Sequence, residues 1–283
     1  LLYDTGPALG SDSEAGSRVI LPWLRTRGID RLEAVVVSHE DLDHSGGALA
    51  VLRGLKVGWV STSMPAGHPI VAAASRHYPC RRGERWEWGD VRFEWLHPGA
   101  EPVRASRSPT NARSCVLRVE SPAGALLLTG DIEAAQERDL LSVLDGARLR
   151  ADVLLAPHHG SRTSSTPAFL DAVAPGLAVF QVGYRNRYRH PNPLVLERYR
   201  ERGIAVLRSD AHAAIEIRMR PGEAPDVVRH RLDRPRYWRV PVDEAAAAAI
   251  APSSRRRSSR PRRAPAARRR STGTPRAPRS ARA

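Results

Sequence analysis

The apolar positions of this chain fall into two kinds of run. Val35-Val36-Val37, Leu126-Leu127-Leu128 and Val153-Leu154-Leu155 are continuous apolar runs, which predicts strands buried on both faces. Residues 132–144 instead place Leu140, Leu141 and Leu144 on one side at helical spacing and predict an amphipathic helix. In chain order the pattern predicts a strand over 1–3, a helix over 18–27 stopped by Gly28, a strand over 34–38, a helix over 47–53, a strand over 57–61 and a helix over 69–77. Two hairpins follow. Residues 86–88 and 91–96 turn around Gly89-Asp90, and 115–119 and 125–129 turn around Pro122 and Gly124. After the 132–144 helix and a strand over 153–156, segments 167–173, 177–182, 194–202, 204–207 and 214–219 continue the alternation. Hairpins mixed with crossover helices imply layered sheets with helices outside.

Three apolar strands run directly into polar clusters. Ala34-Val35-Val36-Val37 enters Ser38-His39-Glu40-Asp41-Leu42-Asp43-His44-Ser45-Gly46-Gly47, with two histidines and three carboxylates in six positions. Extended alternation would put His39, Asp41 and Asp43 on one side, with His44 following. The second strand enters Gly130-Asp131 and the third His158-His159-Gly160-Ser161. A lone Asp after a strand is ordinarily a helix N-cap, and a His pair can simply pack. A divalent metal explains all three clusters at once, because neutral imidazoles and ionised carboxylates are its ligands.

Composition adds limits. A chain of 283 residues with 41% hydrophobic content suits one sizeable domain or two small ones. Cys80 and Cys115 are too few for a disulfide framework and lack metal-finger spacing, so both read as small buried apolar residues. No run approaches a membrane span, and Leu1-Leu2-Tyr3 has neither a basic flank nor an initiator Met. The chain therefore reads as a fragment that starts inside a strand. The net charge of +15 loses 12 with the arginines of residues 251–283 and leaves +3 for residues 1–250. That Arg/Pro/Ser/Ala-rich tail has no apolar periodicity and is expected to be disordered from 241 onward. It reads equally as a nonspecific phosphate-binding arm or as an unconstrained extension of an Arg-biased chain, so no function rests on it.

His39-Glu40-Asp41-Leu42-Asp43-His44 resembles the His-x-[His/Asp]-x-Asp-His signature of the metallo-β-lactamase superfamily. Asp4-Thr5-Gly6, Gly130-Asp131 and His158-His159-Gly160-Ser161 follow in that family's order. Residues 2–7, 38–47, 111–117, 127–133 and 186–191 further resemble the C-terminal hydrolase domain of ComEC-type DNA-internalisation proteins of natural competence, over about residues 1–240. The resemblance implies an α/β fold, the αββα sandwich, with the site at one edge between the sheets. By position, it implies His39 and Asp41 on one metal, Asp43 and His44 on the other, and Asp131 bridging. His159 would complete the second shell, with His158 as the alternative, and Asp4 would support the site without binding metal. It implies one or two divalent ions, manganese or zinc with magnesium possible. It also implies a full-length protein in the bacterial cytoplasmic membrane, of which this chain is a soluble part separated from its membrane-channel domain.

Two departures bear on chemistry. Asp41 stands where many members have His, which moves the preference toward harder ions. The usual third His of the first metal site is absent, and Asn111 to Ser114 occupy its region. Bound metal would lower the pKa of a water and neutralise phosphoryl oxygens, with Asp43 or Asp131 taking a proton. Asn111, Ser114 and His190 are candidates to touch substrate or leaving group. His68, His77, His97, His212 and His230 read as structural. The favoured substrate is DNA. The competence-protein resemblance, the oxygen-rich ligand set and the scatter of Arg point that way. Tyr184-Arg185-Asn186-Arg187-Tyr188-Arg189 interleaves aromatics with guanidinium groups and suits backbone neutralisation and base stacking, but carries little weight alone in an Arg-biased chain. The alternatives are a small-ester hydrolase acting on a phosphorylcholine-type diester, lactone or thioester, and a non-catalytic DNA-docking module.

Overall fold

The computed structural model describes residues 1–10, 13–99 and 109–237. The tail over 241–283 lies outside them. The strands are β1 (Leu2–Tyr3), β2 (Ala8–Gly10), β3 (Ser13–Glu14), β4 (Arg31–Val37), β5 (Lys56–Thr62), β6 (His77–Pro79), β7 (Arg85–Trp88) and β8 (Val91–His97). They continue as β9 (Val116–Ser121), β10 (Gly124–Leu128), β11 (Val153–Leu155), β12 (Leu177–Phe180), β13 (Ala205–Arg208), β14 (Ile215–Arg218) and β15 (Asp226–Arg229). The helices are α1 (Leu21–Thr26), α2 (Leu42–Ser45), α3 (Ala48–Gly54), α4 (Pro69–Ala73) and α5 (Ala134–Val143). They end with α6 (Gly146–Leu149), α7 (Pro167–Val173), α8 (Pro193–Glu201), α9 (Ser209–His212) and α10 (His230–Asp233).

The strands form a parallel four-stranded sheet, β1-β4-β5-β6, and a mixed seven-stranded sheet, β13-β12-β11-β10-β9-β8-β7. In the second sheet β10 to β13 are parallel and β7 to β10 antiparallel. Side chains alternate across each strand, so neighbouring residues serve different cores. On β4, Val35 and Val37 pack with Leu24, Val51 and Ile70 of the helices, while Val36 packs between the sheets with Trp95 and Leu117. On the second sheet, Leu96, Val116 and Leu127 meet Leu140, Phe169 and Tyr199 of the other helical layer. The order helix, sheet, sheet, helix is the αββα sandwich.

Two expectations change. The helix expected over 69–77 ends at Ala73, and His77–Pro79 becomes β6, paired in parallel with β5. Ala74 is extended and cannot continue the helix, and the open edge of β5 takes up the backbone that follows. The two cysteines are not separate apolar residues. Cys80 and Cys115 are joined by a disulfide, with Cα atoms 5.8 Å apart. Cys80 follows β6 and Cys115 precedes β9, so the bond ties the edge of one sheet to the middle of the other. Sequence spacing of 35 residues does not reveal this, because the sandwich alone brings the two positions together.

Candidate metal centre

The site forms where parallel strands end. β1 lies beside β4 with Tyr3 opposite Val36, so Asp4 arrives next to Ser38. β10 lies beside β11 with Leu127 opposite Leu154, so Asp131 arrives next to His158. A bond from the Cys115 amide to the Ser38 carbonyl, 2.9 Å, joins the sheets at this edge. The turn after β4 is not extended as expected. Asp41 precedes a short helix, α2, that carries Asp43 and His44. That helix is packed so closely that Gly46 and Gly47 have no room for a side chain. A Cβ at Gly46 would meet the Ala8 nitrogen at 2.2 Å, and one at Gly47 the Thr5 carbonyl oxygen at 2.3 Å. The Gly-Gly pair after the motif thus lets β1's loop and α2 share one space.

Three imidazoles converge, each held from behind. His44 donates from Nδ1 to the Asp4 carboxylate at 2.7 Å, and Asp4 is itself fixed by the Ser38 amide at 2.7 Å and hydroxyl at 3.0 Å. His159 donates from Nδ1 to the Gln181 carbonyl at 2.7 Å. Both rings therefore turn Nε2 inward, and these two atoms are 3.1 Å apart. Two lone pairs at that distance repel unless a proton or a cation lies between them. His39, 1% exposed, has Nδ1 at 2.9 Å from the Ser38 hydroxyl, while its buried Nε2 has no partner. Buried ring nitrogens rarely stay unpaired. The donor set fits a divalent ion: His39, His44 and Asp131 bring their ligand atoms within 4.8 Å of one another, and so do Asp43, His44 and His159.

The electrostatics report the same demand for positive charge. Burial alone would lower His44, but the Asp4 charge and hydrogen bonds to Asp131 and Asp4 outweigh it and lift the ring well above its ordinary pKa. Burial also opposes the charged form of His159, and the hydrogen bond to Asp43 and the charge of Asp131 raise it on balance. His39 moves the other way, lowered by burial and by the nearby His44 charge. For Asp131 burial pushes upward, yet the bond to His44 and the charges of His44, His159 and His39 hold it well below the carboxylate range. Asp43 is drawn down to about 2, chiefly by its hydrogen bond to His159.

The remaining candidates sit around this cluster. Asp41 has an oxygen 3.6 Å from His39 Nε2 but belongs to neither three-residue group. His158 points Nδ1 at Glu133, 3.1 Å, and has Nε2 3.8 Å from Asp131. Both His158 and His159 hold positive φ values, +47° and +53°, a strained turn from which both rings approach Asp131 Oδ2, at 3.8 and 3.4 Å. Asp131 does not cap the following helix; Glu133 does, which leaves the Asp131 carboxylate to the site. Ser114 is buried and accepts the Asp131 amide hydrogen at 3.0 Å, so it braces the loop from behind. Asn111 reaches Glu133 at 3.5 Å rather than the histidines. His190 stands next to His158, their ring centroids 5.9 Å apart, and lines the same cavity as Asp131.

Sequence reasoning missed Ser38, Glu133 and Gln181 as parts of the site. Ser38 and Glu133 stand inside the motifs already singled out. Gln181 acts through its backbone carbonyl, so no residue type carries that signal. His97 is buried, with Nδ1 2.8 Å from the Ser114 carbonyl.

The profile of the metallo-β-lactamase superfamily matches residues 1–183. The chain is 39% identical over 217 residues to competence protein ComA of Neisseria gonorrhoeae, covering 77% of this chain and 29% of that protein. It is 33% identical to ComE operon protein 3 of Bacillus subtilis, covering 77% of this chain and 30% of that one. Recombination protein 2 of Haemophilus influenzae is 32% identical, with 77% and 26% covered. This chain thus spans under a third of the length of each of these relatives. No described helix is long and apolar enough to cross a membrane. With the profile matched across most of the described residues and the signature histidines and carboxylates gathered at one sheet edge, the chain belongs to the metallo-β-lactamase superfamily.

Proposed function

We propose that this chain is a metal-dependent phosphodiester hydrolase that cuts DNA during its uptake in natural competence. The observation that carries the reading is the pair of inward-facing Nε2 atoms on His44 and His159 beside the Asp131 carboxylate, in a chain similar to competence proteins. His39, His44 and Asp131 would hold one ion, and Asp43 and His159 with His44 or Asp131 a second. Asp41 and His158 lie close enough to adjust either. Manganese or zinc suits this mixture of imidazole and carboxylate, and magnesium suits its oxygen half. When bound, the metal supplies Lewis-acid stabilisation of phosphoryl charge and a water of lowered pKa.

The chain's own residues do the rest. Asp4 and the Gln181 carbonyl keep the outer nitrogens of His44 and His159 protonated, which fixes tautomer and ring direction. Asp43 stays ionised through the neutral range, as a carboxylate that holds a metal must. His190, which lines the same cavity as Asp131, would contact the substrate or leaving group, while Ser114 would keep the Asp131 loop in place. The match covers less than a third of each of these relatives, so the membrane-channel domain belongs to the same proposal as a partner of this one.

The test is cleavage of single- and double-stranded DNA with manganese, magnesium, zinc or EDTA, alongside Asp43→Ala. Asp43 is half exposed, so its loss should leave the fold intact. Cleavage that needs metal and falls about 10²-fold or more in the variant supports the reading. DNA binding that survives EDTA without turnover under any metal would establish a docking module instead. Turnover of phosphorylcholine-type diesters, lactones or thioesters with intact DNA would make the chain a small-ester hydrolase.

A further inference from the structure

The loop over residues 183–190 forms one wall of the metal cleft. Tyr188 and His190 line the same cavity, about 810 Å³, as Asp43, Asp131 and His159. The loop's shape is fixed by one side chain. Asn186 donates from Nδ2 to the carbonyls of His190, 2.8 Å, and Gly183, 3.3 Å, and accepts the His190 amide hydrogen on Oδ1 at 2.8 Å. Arg185 and Arg189 are held at φ of +52° and +55°, where only an over-determined turn keeps residues other than glycine. This stapled turn presents its aromatics outward: Tyr188 is 64% exposed and Tyr184 59%.

The exposed rings are ordered. Tyr188 lies nearly parallel to His190, with centroids 5.9 Å apart and planes at 17°. His190 in turn is 5.9 Å from His158, whose Nε2 is 3.8 Å from Asp131. A line of rings thus leads from solvent to the metal-facing carboxylate. The Arg187 guanidinium lies 4.9 Å from the Tyr188 centroid, and that of Arg185 is 5.3 Å from the Tyr184 centroid. Aromatic faces interleaved with guanidinium groups on a stapled turn match the chemistry of an unpaired base and its phosphate. In a duplex the bases are already stacked and offer Tyr188 no face.

We propose that Tyr188 is a base-stacking platform that makes the metal cleft select single-stranded DNA, an inference that rests on the phosphodiesterase reading above. A base that stacks on Tyr188 replaces the contact with Arg187, which then turns to the neighbouring phosphate. Asn186 acts as a positioning residue by holding the loop in shape.

The experiment measures kcat/KM of the manganese-loaded chain on three substrates: a single-stranded oligonucleotide, the same sequence in a duplex, and an abasic strand of equal length. The expected preference for the based single strand is about tenfold over each of the others. Tyr188→Ala should bring the based strand down to the abasic level, and Tyr188→Trp should keep the preference. Equal cleavage of based and abasic strands by the unaltered chain overturns the platform, as does a preference that survives Tyr188→Ala. Loss of the preference in both Tyr188 variants also overturns it, since a flat ring would then not be what matters. Cleavage of none of the three substrates overturns the phosphodiesterase reading itself, and the platform with it.

Discussion

The layer between the two sheets ends in opposite ways. At one end Trp59, Trp86, Trp88, Phe93 and Trp95 crowd together, with Trp86 stacked on Phe93 at 5.0 Å and edge-on to Trp59 at 5.5 Å. At the other end the rings are His39, His44 and His159, with centroids 4.2 and 5.0 Å apart. The same strand serves both: Val36 of β4 packs in the aromatic half, and Ser38 and His39 stand in the polar half. The aromatic half is held by burial, which hardly depends on direction. The polar half is held by hydrogen bonds aimed at one nitrogen of each ring, so a small turn of an imidazole would change what it can bind. Stability and site geometry should therefore respond to different changes.

Reducing the Cys80–Cys115 bond should give the largest effect on the fold. A crosslink across 35 residues is worth about 4 kcal/mol by the chain-entropy estimate. The denaturant midpoint with and without reductant measures it, with Cys80→Ala as the permanent version. An unchanged midpoint would mean that the aromatic packing alone holds the sheets together. Asp4→Ala should do the reverse. It frees His44 Nδ1 and should weaken metal affinity by about 10- to 100-fold, read by calorimetry with manganese. Its unfolding midpoint should move less than on reduction; a larger shift would erase the contrast between the two halves.

The smallest effect sharpens the comparison on the helical side. Glu137 is fully buried under α7 and accepts the amide hydrogens of Ser165 and Thr166 at 2.5 and 2.8 Å. Burial raises its pKa, and those bonds and Arg198 only partly offset the rise. The folded state thus holds the Glu137 proton more tightly than the unfolded chain does. This residue's contribution to stability falls as pH rises from the ordinary glutamate pKa through the raised one. Glu137→Gln removes that dependence. Paired unfolding curves at several pH values should show the variant gaining on the parent as pH rises through that window, and parallel curves would refute the assignment.

Much of the fold was readable because each core strand signals burial on both faces and each turn carries its own punctuation. Val35 to Val37 and Leu126 to Leu128 fall where expected, and both hairpins form around the named turns. The segment over 69–77 was misread because Ala-rich residues suit a helix locally, while the edge of β5 offers backbone bonds that only the sheet can supply. β15 was not anticipated. Its Asp226-Val227-Val228-Arg229 is short and half polar, and β14 decides its state by pairing with it.

By itself the sequence determined which residues could bind metal, because a run such as His39 to His44 at the end of an apolar strand has few other uses. It also determined their order and their placement at strand ends. Only the tertiary structure decided which of them meet. His39 groups with Asp131, 92 positions away, and Asp43 with His159, because the two sheets pack face to face with these strand ends at one edge. The structure also decided which ring nitrogen faces inward, through Asp4 and the Gln181 carbonyl, and it joined the two cysteines. Contacts of this kind depend on the relative position of whole sheets, and no local pattern of side chains encodes that position.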